Sequence, residues 1–209
     1  MTSCVRLATR ADAEALYRLR AAAYAASAEF RLTRPELLQW DRHDDEGAVL
    51  IAVRDGELLS TTRGMLAGSR DEAEEVLTCT VDLPRSSFPA LILGKGATKL
   101  GSGNGGLHSA LRYHFLRAAG AAKLPAVLGL VYEGAPRTNP MQRLGYRFER
   151  PTRFWDQEGE ALKQPLLAVL DAKNIAAACE ELRMSLDALL AAFPWEGPAI
   201  ELAAQKSTP

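Results

Sequence analysis

Gly101-Ser102-Gly103-Asn104-Gly105-Gly106, running directly into Leu107-His108-Ser109-Ala110-Leu111-Arg112-Tyr113-His114-Phe115-Leu116, decides how the rest of the chain is read. Backbone without side chains can wrap closely round an anion. The first turn of the helix that follows offers unpaired N–H groups and the positive end of its macrodipole. The pattern therefore predicts a phosphate cradle for a nucleotide or for the pyrophosphate of a coenzyme A-like thiol. A nucleotide loop ending in Gly-Lys-Ser/Thr is absent, because Gly105-Gly106 leads into Leu107-His108. The glycines also match a dinucleotide fingerprint, Gly101-x-Gly103-x-x-Gly106, but no convincing acid for a ribose follows at a strand end, so that reading ranks lower.

Working outward from the loop, residues 90–100 read as the preceding strand, interrupted by Gly94 and Gly96 in the manner of a bulge or close backbone approach. The helix carries Leu107, Ala110, Leu111, His114, Phe115 and Ala118 at helical spacing, and 125–132 is an almost wholly apolar strand suited to the middle of a sheet. Upstream are a strand at 4–8, a helix over 11–28 opened by Asp12, a short helix at 35–40, and strands 49–53 and 57–66 joined by Asp55-Gly56, a two-residue hairpin signal. The acidic 71–76 segment reads as a helical turn or loop. Downstream, a short helix over 136–144 ends at Gly145, strands 146–155 and 166–170 follow, 175–193 is an amphipathic helix, and the chain from Pro194 reads as a mobile tail.

The 209 residues are 47% hydrophobic and 24% charged with a net charge of −1, enough for one full core and without the basic excess that nucleic acid binding demands. Cys4, Cys79 and Cys179 are odd in number and far apart, which fits reduced thiols and a cytoplasmic protein better than a disulfide framework. No apolar run reaches the ~20 residues of a membrane span, and His43 and His114 form no metal spacing with Cys or Asp.

Over residues 3–171 the order of elements, together with Gly103-x-x-Gly106-x-His108-Ser109-Ala110-Leu111 and Arg143-Leu144-Gly145-Tyr146, resembles the GCN5-related N-acetyltransferase (GNAT) superfamily. The first motif is similar to its acyl-carrier loop and the second to its Lys/Arg-Leu-Gly-Phe ending. Gly103 stands where Arg or Gln is usual, and Met141 where the family's usual tyrosine acid falls. Arg20-x-x-x-Tyr24, Asp41-x-x-Asp44 and Arg63 are similar to the corresponding residues of the acyl-homoserine-lactone synthase and N-acyl amino acid synthase branch, with Thr98-Lys99-Leu100 where that branch often has Ser-Arg-Phe/Leu. The resemblance implies an α+β fold in three layers: a central mixed, mostly antiparallel sheet of six or seven strands flanked by helices, forming residues 1–173, with a C-terminal helix and tail over 174–209. It implies an acyltransferase moving an acyl group, long-chain in that branch, from acyl-acyl carrier protein (its phosphopantetheine) or acyl-CoA to a primary amine such as an amino acid. An acetyl-CoA-dependent N-acetyltransferase and a non-catalytic acyl-carrier-binding module are the alternatives.

Acyl transfer needs an uncharged amine, a stabiliser for the thioester oxyanion and a positioned carrier. Expected at the carrier are Gly101, Ser102, Gly103, Asn104, Gly105, Gly106, Leu107 and His108; at the oxyanion, backbone N–H groups of Lys99 and Leu100; as base, Glu133. Arg20, Tyr24, Asp41, Asp44 and Arg63 are expected on the acceptor side: Arg20 and Tyr24 share a helix face, an inward Arg20 requires Asp41 or Asp44 as partner, those two acids suit a general base or a cationic acceptor, and Arg63 suits an acceptor carboxylate. The partners expected are a small-molecule amine and an acyl carrier protein, and the Leu-rich last helix could also build a homodimer.

Overall fold

The computed structural model describes residues 2–101, 105–155 and 159–202. β1 (Ser3–Leu7) enters α1 (Ala13–Ala25) through a turn in which the Asp12 carboxylate accepts from the Thr9 N–H at 2.9 Å and is clasped by Arg6 at 2.8 and 2.9 Å. Leu16, Leu19 and Arg20 form the buried stripe of α1. A short strand, β2 (Phe30–Leu32), precedes a 3-10 turn at Pro35–Leu38, and α2 (Arg42–Glu46) begins beyond the helix expected at 35–40 because Asp41 caps it. β3 (Ala48–Arg54) and β4 (Glu57–Ala67) form the expected hairpin, with Asp55 and Gly56 both left-handed at φ 50° and 81°.

The acidic segment is a helix, α3 (Arg70–Leu77), started by Ser69, whose hydroxyl accepts from the Glu72 N–H. Then come β5 (Ala90–Thr98), α4 (Leu107–Ala121), β6 (Ala126–Tyr132), α5 (Thr138–Arg143), β7 (Arg147–Glu149), β8 (Gly159–Ala161), β9 (Pro165–Asp171), α6 (Ala172–Ser185), α7 (Asp187–Ala192) and β10 (Trp195–Glu196). β2 pairs with β8, and the other eight strands form one mixed sheet in the order β10-β1-β3-β4-β5-β6-β9-β7. Only β1/β10 and β5/β6 are parallel. The α+β class and mostly antiparallel sheet are as expected.

Neither the β2/β8 pair nor the following details were in the sequence reading. The sheet has eight strands rather than six or seven, because Trp195 and Glu196, at the start of the segment read as a mobile tail, pair with Val5 and Arg6. The strand expected over 146–155 stops at Glu149; Pro151 has no N–H to continue a ladder, and the chain leaves the sheet to bridge Phe154 to Cys79. The last helix breaks at Leu186, at φ −118° and ψ 13°, where the Ser185 hydroxyl turns back to the Leu182 carbonyl.

The hairpin register pairs Val49 with Arg63 and Leu50 with Thr62, so the pleat sends Val49 and Arg63 to one face and Leu50 to the other. The face of Leu50 packs against Leu107, Leu111 and Phe115 of α4 and Ile175, Ala178 and Leu182 of α6. The opposite face receives α1 through Leu16, Val49 and Ile51, and α3 through Ala73 and Leu77 beside Ile92 and Leu128. Gly64 lets Phe115 lie flat on β4: a Cβ there would stand 2.3 Å from Phe115 Cε1.

The feature that positions the site is the parting of β5 from β6. Their pairing runs from Ala90↔Ala126 to Leu93↔Gly129 and stops, although β5 continues to Thr98 and β6 to Tyr132. Beside the parting, the β4/β5 register slips between Thr61 and Arg63, and Lys95, between Gly94 and Gly96, adopts φ 45°. This bulge turns β5 away from β6 and leaves their facing edges without a sheet partner.

Candidate active site

A cavity of about 880 Å³ opens where β5 and β6 part and reaches both faces of the sheet. On the α1–α2 side its charged groups are set by α2. Asp41 and Asp44 cap each other reciprocally: the Asp41 carboxylate accepts from the Asp44 N–H at 3.0 Å, and the Asp44 carboxylate from the Asp41 N–H at 3.2 Å. Asp44 is also clasped by Arg20 at 2.8 and 2.9 Å, with both side chains wholly buried. Asp41 faces the cavity, accepting from Arg63 at 3.1 Å and from Lys95 Nζ at 2.6 Å. Burial acts to raise the Asp41 pKa, but the Lys95 hydrogen bond and the charges of Arg63 and Lys95 more than offset this and hold it at about 2. Lys95 is pulled below its usual value by burial, against the opposing pull of Asp41. Arg63 and Lys95 are the cations that line this wall, against Asp41, with Glu29 and Glu36 further along the same side.

Tyr24, Phe30 and Tyr132 form an aromatic side to the same space, with ring centroids 6.0 and 6.1 Å apart. The α4 side is different. His108 and Arg112, one helical turn apart, face the cavity with Met141, Tyr146 and Arg137. The His108 ring occupies the space a side chain on Gly96 would fill: a Cβ there would be 2.5 Å from His108 Cε1. Burial, with Arg112 and Arg137 nearby, pushes the His108 pKa down to about 3, so the ring is neutral.

Several expectations for individual residues are met by different placements. Arg20 does face inward and pairs with Asp44, but both lie behind the cavity wall and support it, while Tyr24, Asp41 and Arg63 line it. Glu133 lies outside the lining, exposed and paired with Arg150 at 3.0 Å. The Lys99 N–H is already given to the Leu59 carbonyl at 2.8 Å and its ammonium pairs with Glu57, which takes it out of the oxyanion role. Leu100 lines the cavity mouth with its side chain 62% exposed. Gly106 caps α4 at φ 94°, with Gly101 at φ 73° and Gly105 exposed before it, and Leu107 is a core side chain whose backbone opens the helix. Ser102, Gly103 and Asn104 lie outside the described residues.

No family model matches the sequence, and no curated protein matches it. Solved structures do. The coenzyme A-dependent acyl-homoserine lactone synthase BjaI, solved with SAM and isopentyl-CoA, superposes with a TM-score of 0.64 at 13% identity, covering 94% of this chain and 95% of that one. The acyl-homoserine lactone synthase LasI gives 0.57 at 12% identity, covering 86% and 95%. A ribosomal-protein-alanine N-acetyltransferase from Brucella melitensis gives 0.53 at 18% identity, covering 80% and 98%. The chain has the GNAT fold.

Within this GNAT fold the sequence reading had overlooked Lys95, Arg112, Arg137 and Tyr146 at the cavity. The glycines flanking Lys95 were read as a bulge, correctly, without asking where its side chain went. Arg112 interrupts the apolar stripe of α4 at the position one turn after His108, and that was a usable signal. Met141, standing for the usual tyrosine, lines the cavity, and Tyr146, five residues on, brings a buried hydroxyl there instead. Among the described residues no group of three or more His, Cys, Asp or Glu is placed to hold a metal, and no helix is long and apolar enough to cross a membrane.

Proposed function

We propose that this protein is an N-acyltransferase that moves an acyl group longer than acetyl from acyl-CoA or acyl-acyl carrier protein to the amine of a small molecule that also carries a carboxylate, an amino acid being the simplest case. The observation that carries the reading is the cluster of Arg63, Lys95 and Asp41 set at the mouth of the β5/β6 opening, in one cavity with the α4 wall. Arg63, lining the cavity beside Lys95, offers a carboxylate a charge-assisted contact. Asp41 keeps both cations in place and stays ionised at neutral pH.

The carrier's phosphates fit the backbone N–H groups at Gly105, Gly106 and the first turn of α4, and its thioester reaches the parting of the strands. There the unpaired edge of β5 over residues 94–98 offers donors to the thioester oxygen, a contribution of about 3–4 kcal/mol in comparable sites. The neutral amine attacks the carbonyl carbon, the N–C bond forms, the C–S bond breaks, and the amine's surplus proton leaves with the thiolate as thiol. The α-amino group of an amino acid gives up its proton more readily than a lysine-type amine, whose pKa is about 10.4, and so depends less on a base, in a cavity where the Asp41 carboxylate is held at about 2. The cavity volume favours an acyl group larger than acetyl, since it lies near the upper end of the ~300–1,000 Å³ typical of small-molecule sites.

The test is thiol release from acetyl-, octanoyl- and dodecanoyl-CoA, and from the acyl carrier protein thioesters, across amino acids and the matching amines lacking the carboxylate. Release is expected to require an amine with a carboxylate and to favour the longer donors. Thioesters that bind tightly yet give no thiol with any amine would make the protein a carrier-binding module instead.

A further inference from the structure

Resting on that reading, we propose that Arg112 and Tyr146 form a second anion site, on the α4 side of the cavity, that binds a carboxylate borne by the acyl group itself, so that the preferred donor is a dicarboxylic acyl thioester. Arg112 is only 8% exposed and, among the described residues, its Nε has no hydrogen-bond partner; the Tyr146 hydroxyl is buried and, among those residues, equally without one. The guanidinium lies 5.6 Å from the centroid of the Tyr146 ring, and both residues line the cavity. The lining of this wall adds a second cation, Arg137, and the neutral His108, and no carboxylate; the acids that line the cavity, Glu29, Glu36 and Asp41, come from the α1–α2 side.

A buried arginine without a counter-ion and a buried phenol without a partner are each costly, and one ligand oxyanion meets both needs with charge-assisted hydrogen bonds. A plain alkyl chain placed here leaves both unsatisfied. The carrier's phosphates are a poorer match: the glycine loop that suits them lies at the start of α4, about 9 Å along the axis from Arg112 at 1.5 Å per residue. Arg63 and Lys95 lie on the other face of the sheet beside Asp41, where the reading above places the acceptor. Val131 and Met141, packed on the α4 side, give the apolar surface between the parting strands and this site that a short methylene chain would follow.

The experiment measures binding of free CoA, hexanoyl-CoA, succinyl-CoA and glutaryl-CoA to the full chain by calorimetry, and to Arg112→Met, Arg112→Lys and Tyr146→Phe, with circular dichroism confirming the fold. The expected result is that one of the dicarboxylic thioesters binds more tightly than hexanoyl-CoA. Arg112→Met should remove that preference by about tenfold or more, Arg112→Lys should keep part of it, and free CoA should bind all variants equally. Should Arg112→Met fail to fold, the lysine and phenylalanine variants carry the test. Equal loss for free CoA would assign Arg112 to the carrier and overturn the proposal, as would wild-type binding that ignores the acyl carboxylate. Failure of every CoA ester to bind, together with no thiol release from the acyl carrier protein thioesters, would instead overturn the acyltransferase reading itself.

Discussion

Arg20 of α1 and Asp44 of α2 meet in a two-point ion pair, at 2.8 and 2.9 Å, with neither side chain exposed at all. It ties the first helix to the short helix whose cap, Asp41, enters the cavity. Removing one partner strands the other in the interior. Arg20→Met and Asp44→Leu are each expected to lower stability by about 3–5 kcal/mol, and the double variant to lose much less than the sum, because no lone charge remains. Thermal and denaturant unfolding of the three variants check this; additive losses would mean that the two residues act separately.

Arg63, 3.1 Å from Asp41, is expected to bind the acceptor. Arg63→Ala should raise the acceptor KM by roughly 30-fold, about 2 kcal/mol, while the donor KM changes little. Arg63→Lys should recover part of the loss. Steady-state kinetics with each substrate varied in turn separates this from support of the fold, which would move both constants.

Gly96 and His108 cannot both keep their places if a methyl group is added, since the new Cβ would lie 2.5 Å from the ring. Gly96→Ala should cost about 1–3 kcal/mol. His108→Ala in the same chain should restore most of it, and a double-mutant cycle on unfolding free energies gives the coupling directly.

Gly105 leaves open space where its side chain would be, whereas a Cβ on Gly106, at φ 94°, would press on Leu189 of α7 and on Leu186 just before it, at 3.1 and 3.3 Å. Gly105→Asp is therefore the clean probe of the carrier loop. It should weaken CoA binding by about tenfold through charge repulsion with the phosphates while leaving the melting temperature almost unchanged. Unaltered CoA affinity in this variant would remove the loop from the carrier site.

His114, buried with both ring nitrogens unpartnered and its ring 5.1 Å from that of Trp195, has its pKa pushed down to about 4 by burial and by Arg117. Below pH 6.5 the unfolded chain takes up a proton that the folded one refuses. The stabilisation is thus complete above pH 6.5 and is lost as pH falls towards 4, by on the order of 3 kcal/mol at most. His108 acts in the same direction down to about pH 3, whereas Asp41 loses its contribution only below pH 3.8. Chemical denaturation from pH 7 to 4.5 should show a shallower slope for His114→Leu than for the parent chain.

The sequence by itself determined the elements and their class. The Asp55-Gly56 turn, the apolar 126–132 strand, the Leu107–Phe115 stripe and the glycines before it are local signals, governed by backbone freedom and by periodicity within one segment, and they were enough to set most of the sheet and the helix that follows the glycines. Arg20 needing a carboxylate was also legible, because a charge on a helix's inner face must be paired. Which carboxylate, and which residues meet at the cavity, came from the tertiary structure. Lys95 reaches Asp41 across 54 positions only because the bulge at Gly94-Lys95-Gly96 turns its side chain there. Glu133 is drawn to Arg150 on the outside, and the Lys99 N–H is taken by Leu59. Arg112 and Tyr146, 34 residues apart, become neighbours through the packing of α4 against the segment after α5. Such contacts depend on how separate segments pack against one another, so no periodicity or motif within a single segment could have announced them.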